Sequence, residues 1–144
     1  KFNQEVNKMK VEKIDHIVIR VKDAQKATKF FADLFETEFS NLGEFEQLDI
    51  VSYMDPLGIE IIEPLTPDGT TTRAIESNGE GLSLLSLKVP NLEEAAAEMQ
   101  SRGIRQLWRV EKGPWKAAIY HPADTYGALI ELIEYKSKHP TVST

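Results

Sequence analysis

Residues 14–24 read IDHIVIRVKDA, and 68 positions further on residues 82–92 read LSLLSLKVPNL, with apolar side chains alternating in the same phase. A period of two marks a strand with distinct faces, so one kind of strand is written twice. Each copy opens onto an amphipathic helical stretch. QKATKFFADLF repeats apolar positions at Ala27, Phe30, Phe31, Leu34 and Phe35, and EEAAAEMQSRGI does so at Ala95, Ala96 and Met99. Each half then closes on a matching strand, GIEIIEP at 58–64 and LIELIEY at 129–135, now 71 positions apart.

Between helix and closing strand the first half carries LDIVSYM (48–54), turned by Asp55-Pro56-Leu57-Gly58, a strong hairpin signal. The second carries RQLWRV and KAAIYHP, turned by Glu111-Lys112-Gly113-Pro114. Each half therefore reads as strand, helix, then two or three antiparallel strands. The expected fold is α+β: two βαβββ modules, 11–65 and 80–136, forming a curved eight-stranded mixed sheet with helices outside. Together they make a single domain over 11–136, with polar tails at 1–10 and 137–144. Residues 65–81 read as a linker with one or two helical turns at TTRAIES.

Composition narrows the function. At 144 residues with 41% hydrophobic and 28% charged positions, the chain fits one soluble domain. It has no Cys, which excludes disulfides, thiolate metal sites and a thiol nucleophile, and fits a cytoplasmic protein. A net charge of −6, with no Lys/Arg run beyond two positions, argues against nucleic acid as partner. No apolar run approaches the roughly 20 residues of a membrane span. No Gly-rich phosphate loop, Ser-His-Asp ordering or H-E-x-x-H helix is present.

Strand alternation places Ile17, Ile19 and Val21 under the first helix and sends His16, Val18 and Arg20 to the opposite, concave face. In the second copy Leu84, Ser86 and Lys88 take that face. Glu60 and Glu131 are equivalents in the closing strands, each wedged among aliphatic residues where a carboxylate is costly unless paired or bound to a cation. An imidazole and two carboxylates on one concavity are the donor set of a divalent-metal site completed by water. The ordinary reading of a strand histidine is a satisfied hydrogen bond, and of a strand Glu, a solvated sheet face. Arg20 and Lys88 either bind an anionic acyl or phosphate group or snorkel at the rim. Glu63 and Glu134, on the other face, are expected to reach solvent. His121 reads as a turn residue, and Trp108 and Trp115 as core or edge cover.

The runs IDHIVIRVKDAQKATKFFADLF, IEIIEPLTPDGTTTRAIESNGEGL, HPAD and GALIELIE resemble the vicinal-oxygen-chelate superfamily (glyoxalase, bleomycin resistance, dioxygenase), and within it the methylmalonyl-CoA epimerase family, over residues 12–136. That resemblance implies a divalent metal (Co, Mn, Ni, Zn or Fe) that steadies an enolate while a proton is moved next to a thioester. Carried over, the metal ligands are His16, Glu60 and Glu131; the fourth ligand, a His in relatives, falls on Leu84. Asp49 lies near the register of a proton-transfer base, and Glu131 is the other catalytic candidate. Substrate binding falls to Arg20 and Lys88. The implied partner is a small molecule, an acyl-CoA, with a homodimer as the assembly. Leu84 keeps two alternatives open: a metal-free binding protein like the antibiotic-sequestering relatives, and a metal-free acid–base enzyme of the same fold. Extradiol dioxygenase chemistry is disfavoured, because its two-His-one-Glu iron site would need the missing His.

Overall fold

The computed structural model describes residues 9–136, so all but residues 9 and 10 of the two expected tails lie outside the described residues. Along the chain run β1 (Lys13–Arg20), α1 (Ala24–Phe35), β2 (Ser40–Phe45), β3 (Ile50–Met54), β4 (Ile59–Pro64), α2 (Thr70–Asn78), β5 (Gly81–Lys88), α3 (Leu92–Ser101), β6 (Gln106–Lys112), β7 (Trp115–Tyr120) and β8 (Ile130–Glu134). The order is βαβββ, a linking helix, and βαβββ again: an α+β fold, as the internal repeat requires. The first module has, in β2, the third strand that the sequence left open.

The chain divides into two compact units, one of residues 16–83 and one of 9–15 with 84–136. In the first, the strands lie in the order β2-β3-β4-β1; in the second, β5-β8-β7-β6. Each contains one parallel pair, and the two pairs share a register. Val18 lies opposite Glu60 and Arg20 opposite Ile62, while Ser86 lies opposite Glu131 and Lys88 opposite Ile133. The repeat seen in sequence is thus a repeat of pairing, residue by residue.

One face of each sheet is covered by its own helix. In the first unit Val21, Ala24 and Ile61 form the buried cluster, with Ile19, Ala27 and Phe31 packed against it. In the second, Val89, Leu92, Ala95, Met99, Ala118, Tyr120 and Leu132 do the same under α3. Burial of aliphatic side chains at roughly 1.5–3 kcal/mol each is the main force holding helix to sheet.

The helix starts repeat as well. Asp23 accepts a hydrogen bond from Lys26 N at the head of α1, and Asn91 from Glu94 N at the head of α3. These are N-caps, satisfying backbone donors a helix cannot pair internally. A second acceptor comes from the sheet: Glu63 Oε1 takes Ala24 N at 2.7 Å and Glu134 Oε1 takes Leu92 N at 2.7 Å. This corrects the expectation that Glu63 and Glu134 reach solvent. Their carboxylates face the helix N-termini, where the backbone dipole favours negative charge.

The β3–β4 hairpin follows its turn signal. Asp55, fully buried, accepts Leu57 N at 3.1 Å and Ile59 N at 2.8 Å through Oδ1 and Thr37 Oγ1 at 2.9 Å through Oδ2. Gly58, at φ +97°, supplies the left-handed backbone that turns the chain.

Candidate active site

The faces away from the helices carry buried polar groups in both units. In the first unit, β1 places His16 and Val18 there, β4 places Glu60 and Ile62, and β3 places Ser52 and Met54. His16 is 5% exposed and Ser52 0%, whereas Glu60 between them keeps 13% of its side chain exposed. His16 Nε2 lies 3.1 Å from Glu60 Oε1, and the Ser52 hydroxyl donates to Glu60 Oε2 at 2.5 Å. The carboxylate is thus held at both oxygens, one by an imidazole and one by a hydroxyl. That is the compensation a largely covered carboxylate demands.

In the second unit Glu131 lies on β8 directly opposite Ser86 on β5, and the Ser86 hydroxyl donates to Glu131 Oε1 at 2.6 Å. Ser86 is fully buried and Glu131 is 9% exposed. Leu84, two residues before Ser86, is half-buried on the same strand.

The other sequence candidates are engaged elsewhere. Lys88 Nζ pairs with Glu12 at 2.7 Å and sits 4.7 Å above the Tyr135 ring. Tyr135 donates its hydroxyl to Asp15; burial first, then that hydrogen bond, hold its phenol well above the usual range. Arg20 Nε donates to Gly79 O at 2.9 Å, tying the end of β1 to the segment after α2. Asp49 lies just before β3 in the left-handed region (φ 58°), where Oδ1 accepts the Thr66 hydroxyl at 2.7 Å. Its backbone carbonyl accepts Leu65 N, whereas Glu60 pairs with Met54. At about 3.3 Å per residue over five residues, Asp49 is some 17 Å along the hairpin from Glu60. The structure therefore brings His16 and Glu60 together and leaves Asp49 with the linker. Trp115 packs against Ala117, Ile133 and Tyr135 as core cover. His121 Nδ1 accepts Ala123 N at 3.0 Å, a turn role.

Sequence reasoning missed Ser52 and did not use Ser86. Its own alternation placed Ser86 on the face of Glu131, so that partner was available. Ser52 was not, because it reaches Glu60 diagonally and only the register shows it.

The fold and these side chains set the terms for comparison with known proteins. Residues 13–132 match the model of the Glyoxalase/Bleomycin resistance protein/Dioxygenase superfamily. The chain belongs to that superfamily. The mitochondrial methylmalonyl-CoA epimerase of Mus musculus is 26% identical over 130 residues, 85% of this chain and 73% of the relative. Among solved structures, the methylmalonyl-CoA epimerase of Mycobacterium tuberculosis superposes with a TM-score of 0.82 at 20% identity, covering 93% of this chain and 95% of that one. A Streptomyces coelicolor methylmalonyl-CoA epimerase in complex with 2-nitronate-propionyl-CoA gives 0.81 at 21% identity, covering 89% and 100%.

For the divalent ion expected of the superfamily, the donor set is the test. The first unit supplies two donors, His16 and Glu60, and among the described residues no group of three or more His, Asp or Glu side chains is placed to hold an ion. Leu84, where a second His was expected, carries no donor. The residues do not build the three- or four-ligand cradle, and no chemical step is assigned to a metal.

Proposed function

We propose that this chain is a proton-transfer enzyme acting at the carbon beside the carbonyl of an acyl thioester, the activity that its resemblance to the methylmalonyl-CoA epimerases implies. The observation that carries the proposal is the Glu60 carboxylate, its side chain 13% exposed, fixed by Ser52 on one oxygen with His16 against the other. A carboxylate held in one orientation on a largely covered face can act as a general base, and here an imidazole lies within hydrogen-bond reach of it. Glu60 takes the α-proton, the C–H electron pair moves to the carbonyl oxygen as an enolate, and the enolate then collapses as carbon takes a proton back from the Glu60 carboxylic acid, which has exchanged with solvent in between. Preorganised groups of this kind act without the reorganisation that water would need. Arg20, at the end of the strand bearing His16, is assigned to an anionic group of the substrate. Lys88, engaged with Glu12, is not.

The test is loss of the α-proton of methylmalonyl-CoA in D2O, followed by proton NMR, with EDTA-treated protein and again after adding Mn²⁺ or Co²⁺. The proposal expects exchange in EDTA and little gain from either ion. Exchange only with added ion would overturn it in favour of the metal-held enolate that the sequence resemblance implied. Absence of exchange in every condition, with the thioester or another small molecule raising the melting temperature, would establish the sequestering reading that Leu84 favours.

A further inference from the structure

We infer that the cleft between α3 and the start of β6 is a binding site for a small uncharged molecule bearing a carboxamide or lactam group, with the Tyr120 hydroxyl as its hydrogen-bond donor. The site lies wholly within residues 84–136 and shares no residue with the Glu60 face, so it does not rest on the proton-transfer reading. Where the chain returns from α3 into β6 it leaves an open cleft of about 430 Å³, walled by Ala96 and Gln100 of the helix, by Ile104, Arg105 and Gln106, and by Tyr120 at the end of β7. That volume suits a small molecule. Tyr120 is 1% exposed, and its ring belongs to the apolar cluster under α3. Its hydroxyl is buried, yet has no hydrogen-bond partner among the described residues. A buried phenol ordinarily finds a partner, because an unpaired hydroxyl costs stability.

The walls set the ligand's chemistry. Burial raises the Tyr120 phenol above its ordinary range, with Arg109 opposing and Glu93 adding to it, so the hydroxyl stays protonated at neutral pH and donates. The ligand must bring the acceptor. Arg105, the charged side chain of the wall, is neutralised by Asp124 through bonds of 2.9 and 3.0 Å. A charged ligand would therefore find no free counter-charge there and would lose its hydration uncompensated. Gln100 and Gln106 are exposed, and each amide offers both a donor and an acceptor. A carbonyl oxygen for Tyr120 together with an N–H for a glutamine oxygen describes a carboxamide or lactam. Ala96 and Ile104 supply apolar wall for its carbon frame. Entry requires an exposed glutamine side chain to turn aside and open the hydroxyl, a fast rotamer change at a surface position.

The experiment titrates benzamide into ¹⁵N-labelled wild type, Tyr120→Phe and Ala96→Met, with benzoate as the charged control. Benzamide is expected to shift the backbone amides of Gln100, Gly103 and Gln106 saturably in wild type. Tyr120→Phe keeps the ring and loses the donor, so its Kd should be weaker by about tenfold or more. Ala96→Met keeps the hydroxyl and fills the cleft from a half-buried position of α3, so the shifts should disappear. No saturable shift in wild type, equal affinity in Tyr120→Phe, shifts retained in Ala96→Met, or benzoate bound as tightly as benzamide would each overturn the assignment. Urea unfolding without ligand reads the premise separately. Freed of an unpaired polar group, Tyr120→Phe should have a midpoint equal to or above that of wild type. A lower midpoint would mean that the hydroxyl is already satisfied in the free protein, and would remove the basis for the site.

Discussion

Glycine 69 shows how closely single residues are fitted here. A Cβ added there would lie 1.5 Å from Asp49 Oδ2, itself a buried oxygen without a hydrogen-bond partner. Gly69→Ala must push Asp49 away from Thr66 and disturb the entry to α2. We expect a loss of about 1–3 kcal/mol, read as a lowered urea midpoint with unchanged slope. At this scale the sequence was legible in part. His16, Glu60 and Glu131 stood out because charge or imidazole interrupting an aliphatic strand is physically expensive. Ser52 and Ser86 did not, since a serine in a strand costs little and only its partner gives it meaning. Asp49 was misleading for the converse reason: its position in the chain is near Glu60, but the hairpin register carries it to the far end.

Elements are held at their ends by charge as well as by cap residues. Glu63 and Glu134 each accept the first backbone N–H of a helix from the neighbouring sheet. Glu63→Ala and Glu134→Ala should each lower stability by about 1–2 kcal/mol in chemical denaturation, with Gln variants retaining part of it because an amide oxygen still accepts. The repeat could have revealed this pair. Both modules place an acid on the helix-facing side three residues after the key glutamate, and both open their helix with an Asx cap. A comparable tie holds the start of β6. The Arg105 guanidinium donates twice to Asp124, at 2.9 and 3.0 Å, and its backbone N–H once, at 3.0 Å. The side-chain bonds first, and the backbone bond next, hold the Asp124 carboxyl well below the usual carboxylate range. With the folded value below the unfolded one, near 3.9, this stabilisation is complete above about pH 5 and fades as pH falls through and below about 4. The melting temperature of wild type should therefore fall more steeply between about pH 5 and 2 than that of Asp124→Asn. Parallel pH curves would contradict it.

Across the whole chain, the duplicated βαβββ order was readable because strands and helices leave different periods in the sequence, and two copies in phase reinforce each other. The third strand of the first module was less clear. β2 contains Gly43 in the left-handed region and a register shift at Asn41–Gly43, which breaks its alternation. The helix α2 exceeded the one or two turns expected, since three threonines at its start give a weak helical signal. Chemistry was the least legible level. Membership of the superfamily follows from the pattern of the strands, whereas the reaction depends on a few side chains, and Leu84 departs from the expected ligand set among them.

The most direct test of the account is deuterium uptake at the α-carbon of methylmalonyl-CoA by EDTA-treated wild type and by Glu60→Gln, which keeps the shape of the side chain and removes its charge. Measurable exchange by wild type, reduced about 100-fold or more in Glu60→Gln, is the predicted result. Equal exchange by the two proteins would contradict the role given to Glu60 and with it the proposed mechanism.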